Sequence, residues 1–194
     1  MNSAPRPGVT CLRMVTDAGE IAMDLYVCAA PRSAGAFLQY AREGHLRGAC
    51  FVRVVRPDND HGSPPIAVIQ AQPAESNAPE QMIEHESTDR TGIVHVDGTV
   101  SLGRREPGTA SPGHFFICVG DHPGLDLGGS RCVDRLGFAA FARVTRGMDT
   151  VRRIHRQPTV AEALDPYLRG QLLATPVSIR SVHCEGLPDP NESP

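Results

Sequence analysis

The chain has 194 residues, a net charge of −3, 40% hydrophobic residues and 21% charged ones. These proportions exclude wholesale disorder and leave enough length for one domain around a single core. Near-neutral charge argues against a dedicated nucleic-acid binder, and because all 19 basic residues are Arg, Schiff-base and Lys general-base chemistry is excluded as well.

Residues 1–8 show neither a basic nor an apolar leader pattern, and no apolar run is long enough to cross a bilayer. A cytoplasmic location without membrane attachment is therefore expected, with export only if a leader has been removed. Residues 1–9 read as an N-terminal extension, 10–184 as one domain and 185–194 as a flexible polar tail. The first pattern is a hairpin. Leu12 and Met14 alternate with polar or smaller residues, Asp17-Ala18-Gly19 supplies a turn, and Ile21, Met23, Leu25 and Val27 share one strand face. A helix follows, with Pro31 in its first turn, Ser33 as a cap, an apolar stripe of Ala34, Phe37, Leu38 and Ala41, and Gly44 as the left-handed stop.

Strands are predicted at 51–55 and 66–71, separated by a Pro-rich polar loop over 56–65 that cannot lie inside a sheet. Residues 72–97 read as loop. Strands return at 98–103, 114–119 and 137–144, and the last covers 176–184. A short helix fits Met148, Val151 and Ile154, limited by Pro158. About eight strands and two helices favour a mainly β protein. Turn spacing points to a closed antiparallel barrel, which removes sheet edges, although patterning alone leaves a sandwich open.

Six cysteines without a C-x-x-C pair suggest small buried side chains, with Cys132 the one expected to be exposed. His85 and His95 near Glu84 and Glu86 match no ligand spacing, so no metal is expected. Asp24, Asp126 and Asp149 are expected to serve turns and caps.

Seven segments resemble the cyclophilin family in order: Gly19-Glu20-Ile21-Ala22-Met23-Asp24-Leu25-Tyr26; Ala30-Pro31 through Phe37-Leu38; Phe51-Val52-Arg53-Val54-Val55; Val68-Ile69-Gln70; Gly98-Thr99-Val100-Ser101-Leu102-Gly103-Arg104; Phe115-Phe116-Ile117; and Gly137 through Val144 with Gly147-Met148-Asp149. Any one is weak; seven in sequence are specific. The resemblance implies a closed eight-stranded antiparallel β-barrel capped by two α-helices, a groove on its outer wall, and peptidyl-prolyl cis–trans isomerase activity on proline-containing peptides and folding proteins. It implies no cofactor, no nucleic-acid partner and a monomer.

The reaction rotates an X–Pro amide against a barrier of roughly 18–20 kcal/mol set by C–N resonance. It needs a dry niche for the pyrrolidine ring and a fixed donor that favours the twisted amide. The resemblance makes Arg53 that donor, Gln70 the groove glutamine that steadies it, and Phe116 the aromatic floor. Val68, Leu125 and Phe138 complete the apolar wall, Gly103 and Arg104 meet the peptide before proline, and His114 borders the groove. Period two separates His114, Phe116 and Cys118 from Phe115, Ile117 and Val119.

Departures from the family pattern are Val52 before the Arg, His114 before the double Phe, Gly124 in place of an aromatic, Phe138 where many members have His, Ala71-Gln72 instead of a double Gly, and a longer 56–67 loop. They bear on peptide affinity, on preference for the residue before proline and on cyclic-peptide inhibitor binding. A proline-peptide binding or scaffolding module with little turnover is the alternative.

Overall fold

Alternating apolar residues set the first hairpin. Strand β1 (Thr10–Thr16) pairs antiparallel with β2 (Gly19–Leu25), and Leu12, Met14, Ile21, Met23 and Leu25 all turn inward and are fully buried. The computed structural model describes residues 7–74 and 82–184, so the expected tail and all but three residues of the expected N-terminal extension lie outside the described residues. At the hairpin turn the Thr16 hydroxyl donates to the Gly19 carbonyl at 2.7 Å and accepts from the Ala18 N–H at 3.1 Å.

Helix α1 (Pro31–Arg42) buries Ala34, Phe37, Leu38 and Ala41 as the stripe requires, and Gly44 stops it at φ 79°. Ser33 does not cap it. That residue is buried in the first turn, and its N–H donates at 2.6 Å to a Glu86 carboxylate brought from 53 positions away. A long-range acceptor thus satisfies a donor that the helix start leaves free, and its negative charge suits that end of the helix dipole.

The remaining strands are β3 (Cys50–Val55), β4 (Val68–Gln72), β5 (Ile83–Glu84), β6 (Thr99–Gly103), β7 (Thr109–Cys118), β8 (Ala139–Arg146) and β9 (Leu172–Cys184). Eight of them run in the order β4-β3-β9-β1-β2-β8-β6-β7, and β7 pairs back with β4 to close the barrel. Every pairing is antiparallel, and β5 is a two-residue addition to β7. Closure leaves the eight strands without a free edge.

Among the described residues three α-helices accompany the barrel where two were expected. The extra one, α2 (Thr88–Thr91), is a single turn inside the predicted loop. Helix α3 (Met148–His155) buries Val151 and Ile154 and packs on β2, β3 and β4, while α1 packs on β7 and β8. Strand β9 begins four residues before the prediction. Phe51 faces Val177 but Arg53 faces Leu172, so β9 bulges there and accommodates Pro176, which has no N–H for a ladder.

Apolar side chains form two clusters. The larger fills the barrel, with the rings of Phe51, Phe115, Phe37 and Phe141 in contact one to the next. The smaller lies on the outer wall and comprises Val55, Ile66, Val68, Phe116, Cys118 and Leu125 with Phe138 packed against it. Most cysteines are not buried: only Cys118 is, Cys28 is the exposed one, and Cys132 is half covered beside the Arg104 and Arg131 side chains. Asp24 is likewise no turn residue but a buried member of β2. Among the described residues, no helix is long and apolar enough to cross a membrane.

Candidate active site

The outer cluster exists because β3 breaks its own alternation. Phe51 points into the barrel, so strict period two would send Arg53 into the core as well. Instead the register slips between Phe51 and Arg53 against β4, where Phe51 faces Ala71 and Arg53 faces Gln70. The extra residue, Val52, turns Arg53 outward and returns Val54 to the core. Gln70 in turn pairs with Phe116 of β7, and Phe116 with Ser101 of β6. Arg53, Gln70 and Phe116 therefore form one row across three neighbouring strands, with Val55, Val68 and Cys118 close beside it.

Phe116 is backed from below. His95, 1% exposed, stacks on its ring at 6.0 Å with planes 15° apart. The His95 ring is held at Nδ1 by the Asp126 carboxylate (2.6 Å) and at Nε2 by the Ser101 hydroxyl (3.1 Å). Phe138 meets Phe116 edge to face, centroids 5.2 Å apart, which is a favoured aromatic geometry. Leu125, at the end of a short 3-10 turn (Pro123–Leu125), completes this wall.

Arg53 is gripped on three sides. Its Nη1 donates to Gln70 Oε1 at 2.9 Å, while Nε and Nη2 both donate to Gln171 Oε1 at 2.8 and 2.6 Å. The Tyr167 ring lies against the guanidinium, 4.8 Å from its carbon to the ring centre. Tyr167 stands in a 3-10 turn (Pro166–Leu168) capped by the Asp165 carboxylate.

The loop between β3 and β4 is ordered by ion pairing. Arg131 Nη1 and Nη2 donate to the two Asp60 oxygens at 2.8 and 2.7 Å, and Nη1 also donates to the Pro64 carbonyl at 2.9 Å. Both side chains are nearly sealed from solvent, at 5% and 1% exposure. Burial would raise the Asp60 pKa, but the Arg131 guanidinium and the N–H groups of Gly62 and Ile66 outweigh it and hold the carboxyl below its ordinary range. Gly124 makes room for this loop: a Cβ there would lie 2.6 Å from Pro64 Cγ. The missing aromatic and the long loop are thus two halves of one packing solution. At the other rim Arg104 lies over the Phe138 ring at 5.3 Å and forms a two-point pair with Asp134 at 2.8 and 3.1 Å.

Together these groups enclose a cavity of about 210 Å³. Eight of the nine residues predicted for the site line it: Arg53, Val68, Gln70, Gly103, Arg104, Phe116, Leu125 and Phe138. His114 is not brought into the lining; it lies beside Gly103, where any Cβ would come within 3.1 Å of the His114 Cβ. Val55, Ile66, Arg131 and Tyr167 also line the cavity but were not predicted. In sequence Val55 and Ile66 sit at the ends of two predicted strands and Arg131 and Tyr167 in irregular connections, and only tertiary folding brings them together. Among the described residues, the wall includes no carboxylate, imidazole or thiol. What it offers is an apolar niche with a fixed cation at one end, suited to holding a ring and donating to an adjacent amide.

The family model described as cyclophilin type peptidyl-prolyl cis-trans isomerase/CLD matches residues 11–183. The chain belongs to the cyclophilin family. Among curated cyclophilin relatives, a peptidyl-prolyl cis-trans isomerase of Acinetobacter baylyi is 29% identical over 92% of this chain and 87% of its own length. Another, from Streptomyces antibioticus, is 30% identical over 75% of this chain and 83% of its own length. Peptidyl-prolyl cis–trans isomerisation is the activity of this cyclophilin. A Cryptosporidium parvum cyclophilin crystal structure shares the fold with a TM-score of 0.67 at 15% identity, covering 93% of this chain and 99% of that one.

Proposed function

We propose that the cavity binds a proline ring and that Arg53 is the residue that accelerates isomerisation. The ring sits on Phe116 among Val68, Leu125 and Phe138, and the Arg53 guanidinium faces the X–Pro amide. As the amide twists, its nitrogen loses conjugation and becomes a hydrogen-bond acceptor. A donor fixed there favours the twisted state over either planar one, and each ~1.4 kcal/mol of such preference is worth about tenfold in rate. Gly103 and Arg104 meet the residues before proline.

The observation that carries this reading is the state of the guanidinium. Of its five N–H groups, three are spent on Gln70 and Gln171, leaving one on each terminal nitrogen for substrate beside the apolar niche. Substrates are proline-containing segments of unfolded or folding proteins; one C. parvum cyclophilin structure was determined in the presence of the dipeptide Ala-Pro. A cytoplasmic monomer is the form proposed.

The test is cis–trans exchange of a short Ala-Pro peptide, followed by NMR, with wild type and Arg53→Ala side by side. Acceleration should fall about 10²–10³-fold, the scale for losing one preorganised donor, in a variant that still unfolds cooperatively. Full acceleration by Arg53→Ala would overturn the assignment. Peptide binding by the wild type without faster exchange would favour a binding module instead.

A further inference from the structure

The residue that holds Arg53 most tightly is Gln171, 118 positions away, on the last residue before β9. Its side chain is fully buried, although an amide is costly to bury unless its bonds are made. Both ends are used. The Oε1 accepts two Arg53 N–H groups, and the Nε2 donates to the Asn59 carbonyl at 2.6 Å. Asn59 is itself pinned: its Nδ2 donates to Gly170 O at 2.8 Å and to Val54 O at 3.3 Å, and its Oδ1 accepts from the Arg56 N–H at 2.7 Å. The Val54 N–H, next to Arg53, donates to the Gln171 carbonyl at 2.9 Å.

We propose that Gln171 is a positioning residue for isomerisation, fixing the orientation of the Arg53 guanidinium so that one N–H on each terminal nitrogen is left for the substrate. This deepens the proposed function and rests on Arg53 being the catalytic donor. Gln70 alone touches only Nη1 and leaves the guanidinium free to swing about that contact. Gln171 takes Nε and Nη2 together, which sets the rotation of the guanidinium plane. Because the amide is tied to Asn59, the long β3–β4 loop and the segment entering β9 form one bracket behind the catalytic group. A carbonyl oxygen also orients the cation without neutralising it, as a carboxylate would.

The test uses the full chain. Gln171→Met keeps the length and burial of the side chain but removes the acceptor. Its kcat should fall between about tenfold and a hundredfold, the scale of a misplaced reacting group, with KM for the Ala-Pro peptide little changed. The thermal midpoint should be lowered but unfolding still cooperative, since the Asn59 carbonyl loses its donor. The Arg53 Nε–H NMR signal, assigned by its loss in Arg53→Lys, should broaden through faster solvent exchange in Gln171→Met. In an Arg53→Lys background the same change should have no further effect on kcat, because the two residues then act as one unit. If Gln171→Met fails to fold, Gln171→Asn, which retracts the oxygen by one methylene, carries the same expectations. Wild-type kcat in the folded Met or Asn variant, or an undiminished further loss of kcat in the Arg53→Lys background, would overturn the positioning role. Loss of activity in Gln171→Met with full activity in Arg53→Ala would instead overturn the reading of Arg53.

Discussion

The two apolar clusters of this cyclophilin are built by opposite rules. The barrel interior is filled mainly by alternating strand residues and by the helical stripe of α1, with Phe115 wedged against Phe37 and Phe51 and with Val54 brought in by the slip at Val52. The outer cluster depends on a broken register at Arg53 and on irregular chain: the 3-10 turn ending in Leu125, Ile66 from the β3–β4 loop, and Phe138 just before β8. A second contrast follows. The interior is apolar apart from the buried Tyr40 hydroxyl, whereas the groove is framed by polar groups that must be paired before they can be buried, such as Asp60 with Arg131 and His95 with Asp126. Stability resides mainly in the first region and chemistry in the second.

Adjacent phenylalanines sharpen that comparison with the largest expected effect. Phe115→Ala empties the barrel centre and should cost about 3–5 kcal/mol of unfolding free energy, read by denaturant titration. Phe116→Ala should cost less stability but lower kcat/KM roughly tenfold, carried by KM, because the niche loses its floor. Equal stability losses with no change in KM would dissolve the distinction between core and groove.

Next in size is the ion pair under the groove. Asp60→Asn leaves the Arg131 charge buried with too few acceptors and should destabilise by about 3 kcal/mol. The more exposed rim pair gives the contrast: Asp134→Asn should cost far less, because solvent screens that pair. Chemical denaturation of both variants compares them directly.

The smallest effect is a pH dependence. Burial lowers the pKa of His155, whose Nε2 bonds the Val55 carbonyl, and burial likewise lowers that of His85. A depressed histidine pKa means that the neutral form stabilises the fold. Stability is therefore complete above the ordinary histidine pKa of about 6.5 and declines as pH falls from there toward the folded-state value. The thermal midpoint should drop over that interval, and His155→Gln should flatten part of the slope. A midpoint constant through that range would refute the contribution.

Much of the barrel was legible residue by residue. Leu12, Met14, Ile21, Met23 and Leu25 alternate cleanly, and Ala34, Phe37, Leu38 and Ala41 repeat at helical spacing, so local periodicity suffices to say which face is buried. Arg53, Gln70 and Phe116 were legible only through family resemblance, since a strand Arg by pattern alone is a surface residue. Ser33 misled because a hydroxyl in a first turn suits a cap, yet Glu86 arrives from afar with a stronger acceptor. Tyr167, Arg131 and Gln171 carried no local signal.

Short-range patterns are enough for the strands and helices that recur with a period, the apolar identity of the core and the glycine at a turn such as Gly44, because each of these follows from neighbours a few residues apart. The folded chain alone sets the return of β7 to β4, the slip at Val52 that turns Arg53 outward, and the meeting of Arg53 with Gln171 across 118 positions. Those outcomes depend on closing the sheet and on pairing buried polar groups, which are free-energy terms of the whole chain and leave no imprint on any short window of it.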